Sequence, residues 1–252
     1  MNITRRRFLG TLTAAPVAWP AWAAGQSTAS PGAPGDPGGN AAITAPGRHP
    51  LHFERDRDGF VYLPRGYQVS RKLPLMLVLH GAGGSSASAD GWFPLADEHG
   101  VILLAPDSRQ WTWDGLLGGF GPDVDFLFRA LRWTVQRCAV DRRRLALSGF
   151  SDGASYALSL GIGNGDVFGH IMALSPGVMS PAVVAGKPRI FISHGTDDRV
   201  MPIDETSRRF VPRLRALNYD VTYREFDGRH ALPPDVRREA LAWFLAGSAD
   251  GD

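Results

Sequence analysis

The sequence predicts an α/β domain with a mostly parallel central sheet covered by helices on both faces, and three observations predict it. Short continuous apolar runs, such as Leu75-Met76-Leu77-Val78-Leu79 and Val101-Ile102-Leu103-Leu104, lack the polar alternation of a half-exposed strand. Segments with apolar residues at helical spacing separate these runs, as strand–helix–strand crossovers require. The third observation is Gly149-Phe150-Ser151-Asp152-Gly153, which follows Leu145-Ala146-Leu147 and precedes the helix-forming Ala154-Ser155-Tyr156-Ala157-Leu158. A serine between two glycines in that setting marks a sharp strand-to-helix turn that holds its hydroxyl clear of the backbone. The glycines remove side chains that would clash there.

At the N-terminus, Thr4-Arg5-Arg6-Arg7-Phe8-Leu9 resembles a twin-arginine export signal, and Ala21-Trp22-Ala23 fits a small-x-small cleavage site. Residues 1–23 are therefore expected to be a signal peptide. Pro16 and Pro20 break its apolar stretch, which falls short of the roughly 20 residues of a membrane span. Residues 24–48 are rich in Gly, Pro, Ala and Ser and read as a flexible linker. The folded domain is expected over 49–247, with a disordered tail at 248–252. At 252 residues, 44% hydrophobic and 21% charged, the chain supports one sizeable core.

Within the domain, Phe60-Val61-Tyr62-Leu63 reads as an early strand stopped by Pro64, and Leu75–Leu79 as the next. A helix from about Ala89 to Glu98, closed by Gly100, leads to the strand at Val101–Leu104. Asp123 is expected to cap a helix carrying Val124, Leu127, Phe128, Leu131 and Val135 on its apolar face. The strand at Leu145–Leu147, the serine turn and its helix follow. Ile171-Met172-Ala173-Leu174 and Ile190-Phe191-Ile192 read as further central strands. A helix near Glu205–Leu217, a strand at Val221–Phe226 and a helix at Pro234–Leu245 complete the pattern.

In such a fold the site lies at the carboxyl ends of the strands. Ser151 follows Leu145–Leu147, Asp197 and Asp198 follow Ile190–Ile192, and His230 follows Val221–Phe226. Serine, then acid, then histidine is a chain order that supports nucleophilic catalysis. A serine hydroxyl is a poor nucleophile until a histidine takes its proton, and a carboxylate holds that imidazole in the useful tautomer.

These residues carry a resemblance to the α/β-hydrolase superfamily, in the small serine esterase branch of phospholipase/carboxylesterases, feruloyl esterases and polyhydroxybutyrate depolymerase-like proteins. It rests on Leu79-His80-Gly81-Ala82-Gly83-Gly84, on Gly149–Gly153, on the segment from His194 to Pro202, and on Phe226-Asp227-Gly228-Arg229-His230. The resemblance implies an α/β-hydrolase fold without a large lid domain. It assigns Ser151 as nucleophile, His230 as acid and base, and Asp198, at the fifth position of His-Gly-Thr-x-Asp, as the orienting acid in preference to Asp197. The backbone N–H groups of Ala82 and Asp152 would form the oxyanion hole. The implied activity is hydrolysis of short-chain, aromatic-acyl or polymer-end carboxylic esters through an acyl-enzyme. The alternatives are a lysophospholipase or thioesterase, or a non-catalytic binding protein on the same scaffold.

The other residues have plainer readings. His80 and His194 read as hydrogen-bonded structural residues, and Ser85, Ser86 and Ser88 as solvated or capping. Asp107 precedes the serine and breaks the expected order. Trp111 and Trp113 lie on the active-site side, in a glycine-rich loop, and read equally as substrate-binding or as packing beneath that loop. Gly81–Gly84 lacks the lysine of a phosphate-binding loop and the glycine spacing of a dinucleotide site, and no His/Asp/Glu cluster has metal-ligand spacing, so neither cofactor nor metal is expected. Cys138 is the single cysteine, excludes an intrachain disulfide, and reads as a small buried residue on a helix. Without Arg5, Arg6 and Arg7 the formal charge falls from +2 to −1, which gives no case for a nucleic-acid partner. The expected location is the periplasm or the medium, the expected partner an ester substrate, and no oligomeric state is implied.

Overall fold

Residues 41–246 are described by a computed structural model; among them eight strands form one sheet. The signal peptide, the tail and most of the linker expected from sequence lie outside these residues. In chain order the strands are β1 (Gly47–Pro50), β2 (Gly59–Leu63), β3 (Leu73–Leu79), β4 (Ile102–Pro106), β5 (Val140–Phe150), β6 (His170–Leu174), β7 (Arg189–Gly195) and β8 (Val221–Phe226). Their order across the sheet is β1-β2-β4-β3-β5-β6-β7-β8. β1 and β2 run antiparallel, and the six strands from β4 to β8 are parallel, as expected.

Among the described residues five α-helices cover the sheet: α1 (Phe93–His99), α2 (Pro122–Arg137), α3 (Asp152–Ile162), α4 (Ser207–Ala216) and α5 (Pro234–Ala246). Register explains why the strands read as continuous apolar runs. Ala146, Met172, Leu174 and Phe191 face α1 and α5, where they pack with Leu95, Ala240, Leu241 and Phe244. Ile171, Ala173, Ile190 and Ile192 face α3 and α4, against Ala154, Leu158, Val211 and Leu214. Both faces are dry, so neither can carry a polar stripe. Between β6 and β7, residues 175–188 form no helix or strand, and no large lid covers the carboxyl ends of the strands among the described residues.

Four local features differ from the sequence reading. β1 begins at Gly47, within the expected linker; Gly47-Arg48-His49-Pro50 has no apolar pattern and is held as an edge strand by pairing with β2. Part of that hold is the Arg48 guanidinium, 4.2 Å from the Phe60 ring centroid. The helix expected over Ala89–Glu98 is split into a 3₁₀ stretch at Ser86–Trp92 and α1. Pro94 has no N–H to give to the Asp90 carbonyl, so α-helical bonding cannot run through it. Gly100 closes α1 in the left-handed conformation (φ 67°), as expected.

Asp123 is not the cap of α2. Gly121 occupies that position, and the Asp123 carboxylate turns back to accept the N–H groups of Arg109 (2.6 Å) and Asp114 (2.7 Å). Asp114 caps the helix instead, its Oδ2 accepting the N–H groups of Gly121 (3.0 Å) and Asp123 (2.8 Å). Cys138 is buried at the residue that ends α2, in extended conformation, and burial pushes its thiol up to about 12. It is an inert apolar filler.

His170 opens β6 on the α5 side, edge-on to Trp243 and Phe244, and neither ring nitrogen has a hydrogen-bond partner. Burial first, then the charges of Arg189 and Arg144, lower its pKa to about 4. The folded value lies below the unfolded one, so the protein is most stable above the unfolded pKa and loses stability as pH falls from about 6.5 toward 4. Between pH 7 and pH 5 this group alone should cost roughly 2 kcal/mol. Urea unfolding of His170→Leu should show a correspondingly shallower acid loss; superimposable pH profiles for the two proteins would refute the account.

Candidate active site

β5 ends at Phe150 and α3 begins at Asp152, which leaves Ser151 alone to turn the chain. Its φ of 59° and ψ of −122° lie outside the regions that side-chain-bearing residues favour, at a cost on the order of 1–3 kcal/mol. Close backbone packing holds it there. A Cβ on Gly149 would sit 2.1 Å from the Gly153 carbonyl oxygen, and one on Gly153 would sit 2.3 Å from that of Leu79. The Ser151 N–H donates to the Leu174 carbonyl at 3.0 Å. As the N-cap of α3 its hydroxyl would ordinarily accept a helix N–H, yet it makes no cap bond. It lies instead 2.8 Å from His230 Nε2.

His230 reaches Ser151 from the loop after β8, and its Nδ1 is 2.6 Å from Asp198 Oδ2. Asp198 follows β7 with its side chain fully buried. Its Oδ1 accepts the N–H groups of Val200 (2.9 Å) and Met201 (2.8 Å). Burial works to raise its pKa, but the bonds from Met201, His230 and Val200 outweigh it and hold the carboxyl below its ordinary value. An ionised Asp198 can only accept, so His230 carries its proton on Nδ1 and turns the lone pair of Nε2 toward the serine hydroxyl. Adjacent Asp197 points elsewhere: it is half-exposed, 3.6 Å from Arg199 and 3.9 Å from Arg229.

The loop after β3 lies against the serine, since a Cβ on Gly81 would sit 3.3 Å from that of Ser151. In it, the N–H of Gly83 donates to the Trp111 carbonyl (2.8 Å) and that of Gly84 to the Gly81 carbonyl (3.0 Å). Among the described residues no group accepts the N–H of Ala82. That of Asp152 opens α3 and has no partner within the helix. The two donors predicted from sequence thus flank the serine unspent.

The loop before α2 braces this arrangement. Thr112 donates to the Asp152 carboxylate at 2.6 Å, and Tyr156 to Asp114 at 3.0 Å. Trp113 is fully buried, stacks on Tyr156 with centroids 5.2 Å apart, and donates Nε1–H to the His80 carbonyl at 2.8 Å. With no surface to offer, Trp113 packs beneath the loop and is not a substrate contact. Trp111 is 69% exposed beside Gly83 and remains the one of the pair open to a ligand.

The remaining candidates are structural. His80 accepts the Ser108 N–H on Nε2 (3.0 Å) and donates Nδ1–H to the Gly81 carbonyl (2.7 Å), so it is a neutral brace of the loop; burial lowers its pKa. Arg57, absent from the sequence reading, clips the same loop through Gly84 O (3.0 Å) and Ser108 Oγ (3.1 Å). Asp107 accepts the N–H groups of Asp58 and Ser86. His194 does more than its sequence reading allowed. Its Nδ1 accepts the Ser207 hydroxyl (2.7 Å), and its Nε2–H, 2.8 Å from the Met201 carbonyl, also lies 3.2 Å from Asp198 Oδ2. Its place four residues before Asp198 was the available signal. Among the described residues, no group of His, Cys, Asp or Glu is placed to hold a metal ion.

No protein-family model matches the chain. It is 26% identical over 177 residues to a probable feruloyl esterase C of Aspergillus terreus, a match covering 66% of this chain and 64% of that protein. The chain thus spans just under two thirds of the length of that fungal relative. A thermostable esterase superposes with a TM-score of 0.66 at 19% identity, over 79% of this chain and 62% of the other. A ferulic acid esterase from Anaeromyces mucronatus, solved with ferulic acid, gives 0.61 at 19% identity, over 81% and 90%. The chain has the α/β-hydrolase fold, and the relative and neighbours it is similar to are esterases by name.

Proposed function

We propose that the protein is an exported serine hydrolase that cleaves carboxylic esters through an acyl-enzyme. The observation that carries this reading is the unbroken hydrogen-bonded line from Asp198 through His230 to Ser151, at 2.6 and 2.8 Å, ending on a serine held in a strained turn. Ser151 Oγ attacks the ester carbonyl while His230 Nε2 takes its proton, and the N–H groups of Ala82 and Asp152 receive the charge that develops on the carbonyl oxygen. His230 then gives the proton to the departing alcohol. Water, deprotonated by the same nitrogen, releases the acid and restores the serine. Asp198 keeps Nδ1 protonated and stabilises the imidazolium that forms in each half-reaction.

Ser151→Ala should lower ester turnover by roughly 10³-fold or more with the fold retained. Asp198→Asn should cost about 10³- to 10⁴-fold by favouring the wrong tautomer, while Asp197→Asn should stay within a few-fold. Equal losses in the two asparagine variants would reject the assignment of Asp198.

An aromatic acyl group is the preferred substrate class. Support comes from the exposed Trp111 beside the oxyanion loop and from the feruloyl esterase name of the fungal relative. Stacking on an indole contributes about 0.5–1.5 kcal/mol. Trp111→Ala should therefore raise KM for methyl ferulate several-fold while leaving KM for 4-nitrophenyl acetate nearly unchanged; parallel changes for both esters would refute the stacking role.

Export rests on the Thr4–Leu9 and Ala21–Ala23 motifs. Among the described residues no helix is long and apolar enough to cross a membrane. Lysines at Arg5 and Arg6 should leave an unprocessed precursor in the cytoplasmic fraction, and normal processing of that variant would argue against the twin-arginine route.

A further inference from the structure

A cavity of about 130 Å³ lies beside the carboxyl ends of β3 and β5. The Phe150 ring packs on the His230 imidazole with centroids 4.8 Å apart and also lines the cavity. Gly81, which touches Ser151, forms another part of its wall. The cavity therefore adjoins the candidate site without containing its reacting atoms. Its remaining walls include Ser88, Trp92, Ser148, Leu232 and Arg237.

The lining is chemically one-sided. Its polar side chains are the Ser88 and Ser148 hydroxyls, the Trp92 indole and the Arg237 guanidinium, and no carboxylate or side-chain amide is among its lining residues. Ser148 Oγ is fully buried and has no hydrogen-bond partner. Arg237 Nε is likewise buried and unpartnered, and its Nη1 donates to the Gly91 carbonyl at 2.8 Å. Among the described residues Arg237 forms no ion pair, whereas its helix neighbour Arg238 meets Glu98. Burial lowers the Arg237 pKa, and no nearby carboxylate opposes that shift. The Arg237 guanidinium is part-buried, 5.5 Å from the Trp92 ring centroid, and its unpaired Nε and the unpaired, buried Ser148 hydroxyl are costly to leave unsatisfied.

We propose that this cavity is a carboxylate-binding subsite, with the Arg237 guanidinium and the Ser148 hydroxyl as its donors. The inference rests on the ester hydrolase reading and deepens it: a preferred substrate bears a carboxylate on its acyl portion, a few bonds from the scissile carbonyl. The guanidinium can only donate and carries a positive charge, and the serine hydroxyl beside it can donate as well, which suits an anion and disfavours an amine. At roughly 30 Å³ per water-sized group the volume takes a carboxylate and its adjoining methylenes.

The test compares the mono-4-nitrophenyl ester of succinate with the 4-nitrophenyl ester of its neutral isostere, 4-methylpentanoate. Arg237→Gln should lower the ratio of the two kcat/KM values by about tenfold or more, as loss of a charge-assisted hydrogen bond does. Ser148→Ala, which removes an unpartnered hydroxyl and should fold normally, should lower it by about threefold. A ratio unchanged in both variants overturns the subsite and leaves a cavity filled by water. A wild type that cleaves neither ester would refute the hydrolase reading, so glutarate is also titrated calorimetrically into Ser151→Ala. Binding that Arg237→Gln abolishes supports the subsite; absent binding, or binding that survives that change, overturns it.

Discussion

Backbone from β3, β5 and α3 meets behind Ser151 more closely than any side chain would permit, and the site is built outward from that contact. Gly149 faces the Gly153 carbonyl, and Gly153 faces the last carbonyls of β3, both inside the reach of a Cβ. This crowding holds Ser151 at positive φ, which in turn frees its hydroxyl from the capping role its position would otherwise give it. It also brings the first N–H of α3 beside the loop that follows β3. One packing constraint thereby sets the proposed nucleophile, one of the proposed oxyanion donors and the approach of the other. The strain at Ser151 is affordable because it is shared by three elements of a buried parallel sheet.

Charge at the site is kept simple by burial. His80, His194 and His230 all lie near it, yet the first two are held as neutral imidazoles in opposite tautomers. His80 exposes an acceptor to Ser108 and His194 exposes one to Ser207. A protonated His194 would place a second cation against Asp198 Oδ2, 3.2 Å away, and weaken its hold on His230. Desolvation lowers the pKa of His194 and prevents this. His194 instead offers a neutral N–H to the Met201 carbonyl, with the carboxylate beside it. It steadies the loop that also delivers two backbone donors to Asp198.

What was legible in the sequence was what short range determines. The apolar runs revealed buried strands because both faces of the sheet are dry, and Gly149–Gly153 revealed the turn because its steric requirement is local. Chain order and strand-end position then linked Ser151 and His230 with the pair Asp197 and Asp198, and the resemblance to α/β-hydrolases chose Asp198. Features with distant partners were hidden. The edge strand β1 has no apolar signature and exists through pairing with β2. Asp123 has the residue type of a cap, but its carboxylate is claimed by Arg109 and Asp114, fourteen and nine residues away. Trp111 and Trp113 are two positions apart in one loop and meet opposite fates, decided by whether Tyr156 and the His80 carbonyl lie within reach.

The absence of a lid domain over the described residues gives those opposite fates their meaning. Trp111 and Leu117 after β4, Val178 after β6 and Val200 after β7 are large apolar side chains left 69%, 58%, 45% and 63% exposed. Large apolar groups of this kind can be taken out of water by a bound ligand. The cavity lined by Phe150 is different in kind, with an unpaired guanidinium nitrogen and an unpaired buried hydroxyl among its lining residues. An ester that satisfies both must be apolar in one part and anionic in another. On the proposed reading, desolvation at the exposed apolar residues and hydrogen bonding in the cavity would select such a substrate, two requirements that no simple alkyl ester meets together.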